Sequence, residues 1–235
     1  MSEEDTIQVN FARPMALFPL DQVTLLPQQV LPLHIFEPRY RQMIDLAIDG
    51  SGQVAMAVFQ GGTWRQEYHA RPPIRGAVCV GQMVQHERLA DGRYNIVLRG
   101  VCRARVLREM PPREGVLFRE AMLEPLGLNQ DETPMLAVVR NRLEQALEHG
   151  PLRALRESGA LLEYVRDEEI PTAALLELVS FSLISDRETR YRLLEESESD
   201  ARAGIIESEL RSLGRVLRIA RAQRRADQPR GVSLN

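Results

Sequence analysis

The 235-residue sequence carries 30 basic and 33 acidic side chains, a net charge of −3, and 44% hydrophobic residues, enough apolar material for an ordinary core. All thirty basic residues are arginine, which excludes every mechanism that needs a lysine: a Walker A phosphate cradle, a Schiff base, a Ser-Lys dyad. The mild negative charge argues against a global electrostatic pull toward nucleic acid or anionic membrane.

The length suits one large or two modest domains. Met1-Ser2-Glu3-Glu4-Asp5 has neither a basic n-region nor an apolar h-region, and no apolar run approaches the ~20 residues that span a bilayer. The expectation is a cytoplasmic protein with no membrane partner and ragged tails at 1–11 and 227–235. Met15–Leu20 reads as a first strand. Residues 18–43 are the organising stretch of the chain: Pro19, Pro27 and Pro32 forbid a continuous helix and leave short apolar runs of strand character. Pro38 fits a helix first turn, and Tyr40, Met43, Ile44 and Ala47 continue at helical spacing to about Gly50.

Beyond Gly50-Ser51-Gly52, residues 53–59 read as a strand, and Gln60–Pro73 as a long loop. Residues 76–87 and 94–106 are β-rich around the turn signature Asp91-Gly92. On the return strand Val101, Arg103 and Arg105 alternate with Cys102, Ala104 and Val106, predicting one wet and one dry face. Cys79 and Cys102 would lie on neighbouring strands, read as buried reduced thiols. Gly115–Leu123 is the last strand candidate.

After Leu128 the hydrophobic period changes. Thr133-Pro134 predicts a capped helix with Leu136, Val139, Leu143 and Leu147 on one face. Shorter helices are expected at 152–166 and 171–184, and a capping box at Ser185-Asp186-Arg187-Glu188 opens another to about Glu195. One long helix comes next, from Asp200 to about Ala226, with Ile206, Leu210, Leu213, Leu217 and Ala220 at near-heptad spacing, which permits self-association. The expected fold class is therefore α+β: a β-rich lobe over 12–127, then a helical bundle over 131–226 ending in the long helix.

Two stretches resemble one family. Phe18-Pro19-Leu20, Leu25-Leu26-Pro27 and Leu31-Pro32-Leu33-His34-Ile35-Phe36-Glu37-Pro38-Arg39-Tyr40 are similar to the opening of the N-terminal substrate-binding domain of Lon proteases. Asp91-Gly92-Arg93-Tyr94-Asn95-Ile96-Val97-Leu98-Arg99-Gly100 and the continuation to Val106 resemble that domain's later hairpin. The resemblance implies a PUA-like lobe, a twisted sheet or pseudo-barrel with one helix, joined to a helical bundle, the whole serving to recognise or dock partner proteins. Lon proteases continue into an ATPase and a Ser-Lys protease. This sequence runs to Asn235 without lysine or a phosphate loop, so the expectation is a stand-alone, non-enzymatic relative. A zinc-bearing relative is set aside because Cys79 and Cys102 are too few.

No catalytic, cofactor-binding or metal residues are expected: no serine sits in a nucleophile-elbow context, and His34, His69, His86 and His149 lack ligand spacing. The protein-binding candidates are Trp64, Arg65 and Tyr68 on the long loop, with Leu33, Phe36, Glu37 and Arg39 before the first helix. Trp64 either meets a partner or folds back over the sheet, and Glu37 with Arg39 either forms a structural ion pair or lines a peptide groove. The expected function is ATP-independent binding of exposed apolar segments of client or partner proteins. The alternative is RNA binding through the basic end of the last helix, at Arg218, Arg221, Arg224 and Arg225. That helix also reads as a solvated, dipole-complementing face with Glu207 and Arg211 an i,i+4 pair.

Overall fold

The computed structural model describes residues 7–62, 64, 71–128 and 131–226, with side chains to 223. Six strands form one sheet: β1 (Met15–Leu20), β2 (Val30–Ile35), β3 (Gln53–Val58), β4 (Ala77–Arg88), β5 (Tyr94–Glu109) and β6 (Arg119–Leu126). Their order is β2-β5-β4-β3-β1-β6 with a further β5–β6 pairing. That last pairing closes a five-stranded ring and leaves β2 as an outer tab. Closure depends on the length of β5, whose first half pairs with β2 over residues 94–99 and whose second half pairs with β6 over residues 103–109. The ring interior is filled by Met15, Leu17, Ala55, Ala57, Val78, Val80, Ala104, Ala121 and Leu123, a set rich in alanine as a narrow barrel requires.

The prolines sit where a strand can tolerate them. β6 pairs with one edge of β1 only up to Leu17, and β3 pairs with the other edge from Leu17 to Leu20. Pro19 therefore lies where β6 has already ended, and its carbonyl accepts a hydrogen bond from the Tyr40 hydroxyl at 3.0 Å. Pro32 lies on the outer tab. The β1–β3 pairing is parallel, a feature the apolar runs did not announce.

Helix α1 (Pro38–Ile48) starts on its proline and buries Tyr40, Met43, Ile44 and Ala47 as their spacing predicts. The Tyr40 ring packs 4.5 Å from Phe18. Helices α2 (Pro134–Glu148), α3 (Ser158–Arg166), α4 (Thr172–Leu183), α5 (Arg187–Glu195) and α6 (Ser199–Ala226) complete the chain, with a 3-10 turn at Pro151–Ala154. The Thr133 hydroxyl accepts from the Leu136 amide at 3.1 Å, capping α2 as expected. The fold is α+β.

Two compact units emerge, and their composition departs from a simple division into halves. One comprises residues 1–130 and 185–198, the other 131–184 and 199–235. Helix α5, grouped by sequence with the bundle, belongs with the barrel. Its N-cap is Asp186 rather than Ser185, accepting from the Thr189 amide at 2.7 Å. Tyr191 of α5 accepts from the Ala77 amide at 2.8 Å, and Arg75 lies 3.3 Å over its ring while forming a bidentate pair with Glu188. Arg103, expected on the wet face, is only 3% exposed and donates to the Leu193 carbonyl at 3.0 Å. The alternation along β5 is real, but α5 covers part of its outer face.

Candidate functional site

The residues that begin α1 form one wall of a cleft in the barrel unit. Glu37 is the N-cap, and it makes no capping bond because its carboxylate turns to Arg39, which donates from Nε at 3.1 Å. Both side chains are half-buried, and the Arg39 guanidinium lies 4.6 Å over the Tyr40 ring. The ion pair offered as one alternative by the sequence forms here, and both residues also line the cleft. The opposite wall is residues 111–120, with Pro111, Pro112, Val116, Leu117 and Phe118, and the cleft measures about 540 Å³. Its floor includes Leu17, Pro19 and Tyr40. Gln42 of α1 holds the far wall by donating to the Gly115 carbonyl at 2.6 Å and accepting from the Leu117 amide at 2.7 Å.

Four arginines line this cleft, and each meets a carboxylate: Arg39 with Glu37, Arg71 and Arg119 with Glu109, Arg113 with Glu120. Arg119 also donates to the Pro72 carbonyl at 2.7 Å. Four arginines against three carboxylates, with Glu109 shared, leave one positive charge in excess, a weak attraction for a polyanion. Leu117 is 59% exposed on the rim, and Phe36, next to Glu37, is 60% exposed.

The other sequence candidates lie elsewhere or outside the described residues. Leu33 is half-buried on β2, paired with Ile96. Trp64 stacks flat on Phe59 with centroids 5.0 Å apart and is half-buried. Phe59 lines a different hollow, with Arg75, Glu188 and Tyr191, so Trp64 sits away from the Glu37 cleft. The base of its loop is pinned by the Gln60 amide donating to the Pro73 carbonyl at 2.8 Å. Arg65 and Tyr68 lie outside the described residues. His34 is exposed, between Asn95 at 2.8 Å and Arg93 at 3.3 Å. Residues 111–114 escape a reading of the sequence, and 115–118, read as the start of the last strand, lie ahead of β6, which begins at Arg119; the signal that could have found this wall is Pro111-Pro112 with Gly115 close behind, a turn cluster ahead of an exposed leucine.

Among the described residues no group of three or more His, Cys, Asp and Glu side chains could hold a metal ion, and no helix is long and apolar enough to cross a membrane. Cys79 faces Arg103 across the β4–β5 ladder, whereas Cys102 faces Val80, so the two thiols point to opposite sides of the sheet. Burial pushes the Cys102 thiol up to about 11. The folded chain therefore keeps this proton through neutral and mildly alkaline pH. Ellman's reagent at pH 8 is expected to find no fast thiol in the native protein and two after unfolding. A rapid native reaction would contradict that placement.

Residues 14–212 match the family model described as ATP-dependent protease La (LON) substrate-binding domain. Among solved structures, the chain is similar to the N-terminal domain of a Mycobacterium avium complex Lon protease, with 18% identity, TM-score 0.64, and 84% of this chain and 98% of that one covered. It is also similar to a Lon N-terminal domain protein from Xanthomonas campestris, with 19% identity, TM-score 0.58, and coverage of 83% and 98%. No curated protein sequence matches.

Proposed function

The chain belongs to the LON substrate-binding domain family, and from that premise we propose that it grips exposed apolar segments of client or partner proteins in the Glu37–Leu117 cleft, without ATP and without chemistry of its own. The observation that carries this is the cleft's makeup: an apolar floor and walls under a rim of ion pairs whose net charge is only one arginine in excess. An extended segment gains by desolvating Leu117 and Phe118, while the rim arginines and glutamates can meet its backbone. The volume is that of a few side chains, which fits a short stretch rather than a folded surface. With no lysine in the sequence, the chain has no P-loop to couple this grip to a nucleotide. Trp64, with Arg65 and Tyr68, is proposed as a separate contact on the 60–73 loop.

The test is binding of a permanently unfolded probe, reduced and carboxymethylated lactalbumin, measured by anisotropy with and without ATP. Leu117→Asp is expected to weaken binding about tenfold, the ~1.4 kcal/mol of one well-buried anchor. ATP is expected to change nothing. Equal binding by Leu117→Asp would remove the cleft as the binding site, and equal binding by Trp64→Ala would remove the loop.

A further inference from the structure

The last sixteen positions of α6, from Arg211 to Ala226, contain six arginines and no acidic residue. Arg211, Arg215 and Arg218 are spaced by four and three, which places them along one flank of the helix. Among the described residues no carboxylate cancels their charge. The carboxylate expected to pair with Arg211, that of Glu207, is instead taken by Arg142 of α2 at 3.1 Å. Arg215 donates to the Ser212 hydroxyl at 2.9 Å, and among the described residues no carboxylate pairs with Arg211, Arg218 or Arg221. The side chains of Arg224 and Arg225 lie outside the described ones.

Beside this flank runs an apolar trough. Leu143 and Ala146 of α2, Leu152 of the 3-10 turn, and Ile206 and Leu210 of α6 line a hollow of about 540 Å³ whose edge is Arg211, Arg215 and Arg218. A second hollow of about 590 Å³ continues it, lined by Ala154, Leu217 and Ala220 with Arg153 and Arg221. Pro151 and Arg218 line both, so the two are contiguous. Gly214 sets the depth: a Cβ there would lie 2.8 Å from Pro151 Cγ. From Ile206 to Arg221 the trough runs about 22 Å at 1.5 Å per residue, roughly four helical turns.

We propose that this trough is a docking site for an acidic amphipathic helix of a partner protein, its apolar stripe on the Ala146–Leu210–Leu217 floor and its carboxylates against Arg211, Arg215 and Arg218. Charge complementarity names the occupant: an apolar floor flanked by uncancelled arginines fits a segment with leucines at i, i+3, i+4 and i+7 and glutamates beside them. RNA fits less well, because no Phe, Tyr or Trp lines either hollow to stack a base and the floor offers polar bases nothing. This surface lies in the helical unit and is independent of the cleft assigned to apolar clients.

The probe is a fluorescein-labelled sixteen-residue helix of leucine and glutamate with a continuous leucine stripe, titrated by anisotropy against the full chain. Binding is expected to weaken at least tenfold for Arg211→Glu/Arg218→Glu, whose side chains are exposed so that the fold, checked by circular dichroism, is kept. A peptide of the same composition with the stripe scrambled is expected to bind at least tenfold more weakly than the intact one, and 0.5 M salt to weaken the intact complex severalfold. No binding of the striped peptide, unchanged affinity in the double variant, or equal affinity for the scrambled peptide would overturn the proposal. So would poly-U binding more tightly than the striped peptide, which would assign the arginines to phosphate.

Discussion

Gly100→Ala is expected to destabilise the barrel unit by more than about 3 kcal/mol, at or beyond the upper end of what overpacking usually costs. A Cβ at this position would fall 2.1 Å from the Leu26 carbonyl oxygen, 2.8 Å from its carbon and 3.2 Å from Pro27 Cα. All three are backbone atoms, so no rotamer change relieves the contact. Nor can the 26–29 turn retreat cheaply. The Gly100 amide donates to the Gln29 carbonyl at 2.9 Å, and its own carbonyl accepts from the Gln28 amide at 2.9 Å, so withdrawal breaks both bonds. Gly76→Ala, with open space around its Cβ, is the control and is expected to stay within about 0.5 kcal/mol of the parent. Urea midpoints at constant slope measure both. A Gly100→Ala protein as stable as Gly76→Ala would mean that the turn does not press on β5.

Glu177→Ala is expected to cost the helical unit about 3–5 kcal/mol, the range for removing one member of a buried ion pair. Glu177 of α4 and Arg202 of α6 have side chains 7% and 4% exposed, with N···O at 3.7 Å. Truncating the acid leaves a guanidinium where water cannot reach it freely. Replacing both together, Glu177→Leu with Arg202→Met, removes two charges from the interior and is expected to recover most of the loss. Hydrogen exchange read separately over α4 and α6 checks this, and a Glu177→Ala chain with parental protection there would refute it.

Local rules made most elements legible. Pro38 opening α1, Thr133 capping α2, and the Leu136–Leu147 stripe need only neighbouring residues, and they appear where the spacing puts them. The first cleft wall was legible for the same reason, since Glu37-Pro38-Arg39 is a helix start wherever it docks. What escaped were effects carried by distant partners. Arg103 reads as a solvent-facing arginine until Leu193, ninety positions later, arrives to cover it. Glu207 has a sound i,i+4 partner in Arg211, yet Arg142 takes its carboxylate from the neighbouring helix. The cysteines do lie on neighbouring strands as read, but only register shows that Val80, and not Cys79, stands opposite Cys102. The second cleft wall at 111–118 has no periodicity at all, because its shape is imposed by Gln42 from outside.

Helix α5 carries one further consequence, for synthesis on the ribosome. The strands of the barrel have all emerged by residue 126, but the piece that shelters Arg103 ends only at Glu195. Between the two the chain must deliver α2, α3 and α4, which belong to the other unit. The first-made lobe therefore waits, with one flank bare, for a helix translated some sixty residues later. A fragment ending at residue 130 would hold that unfinished form permanently.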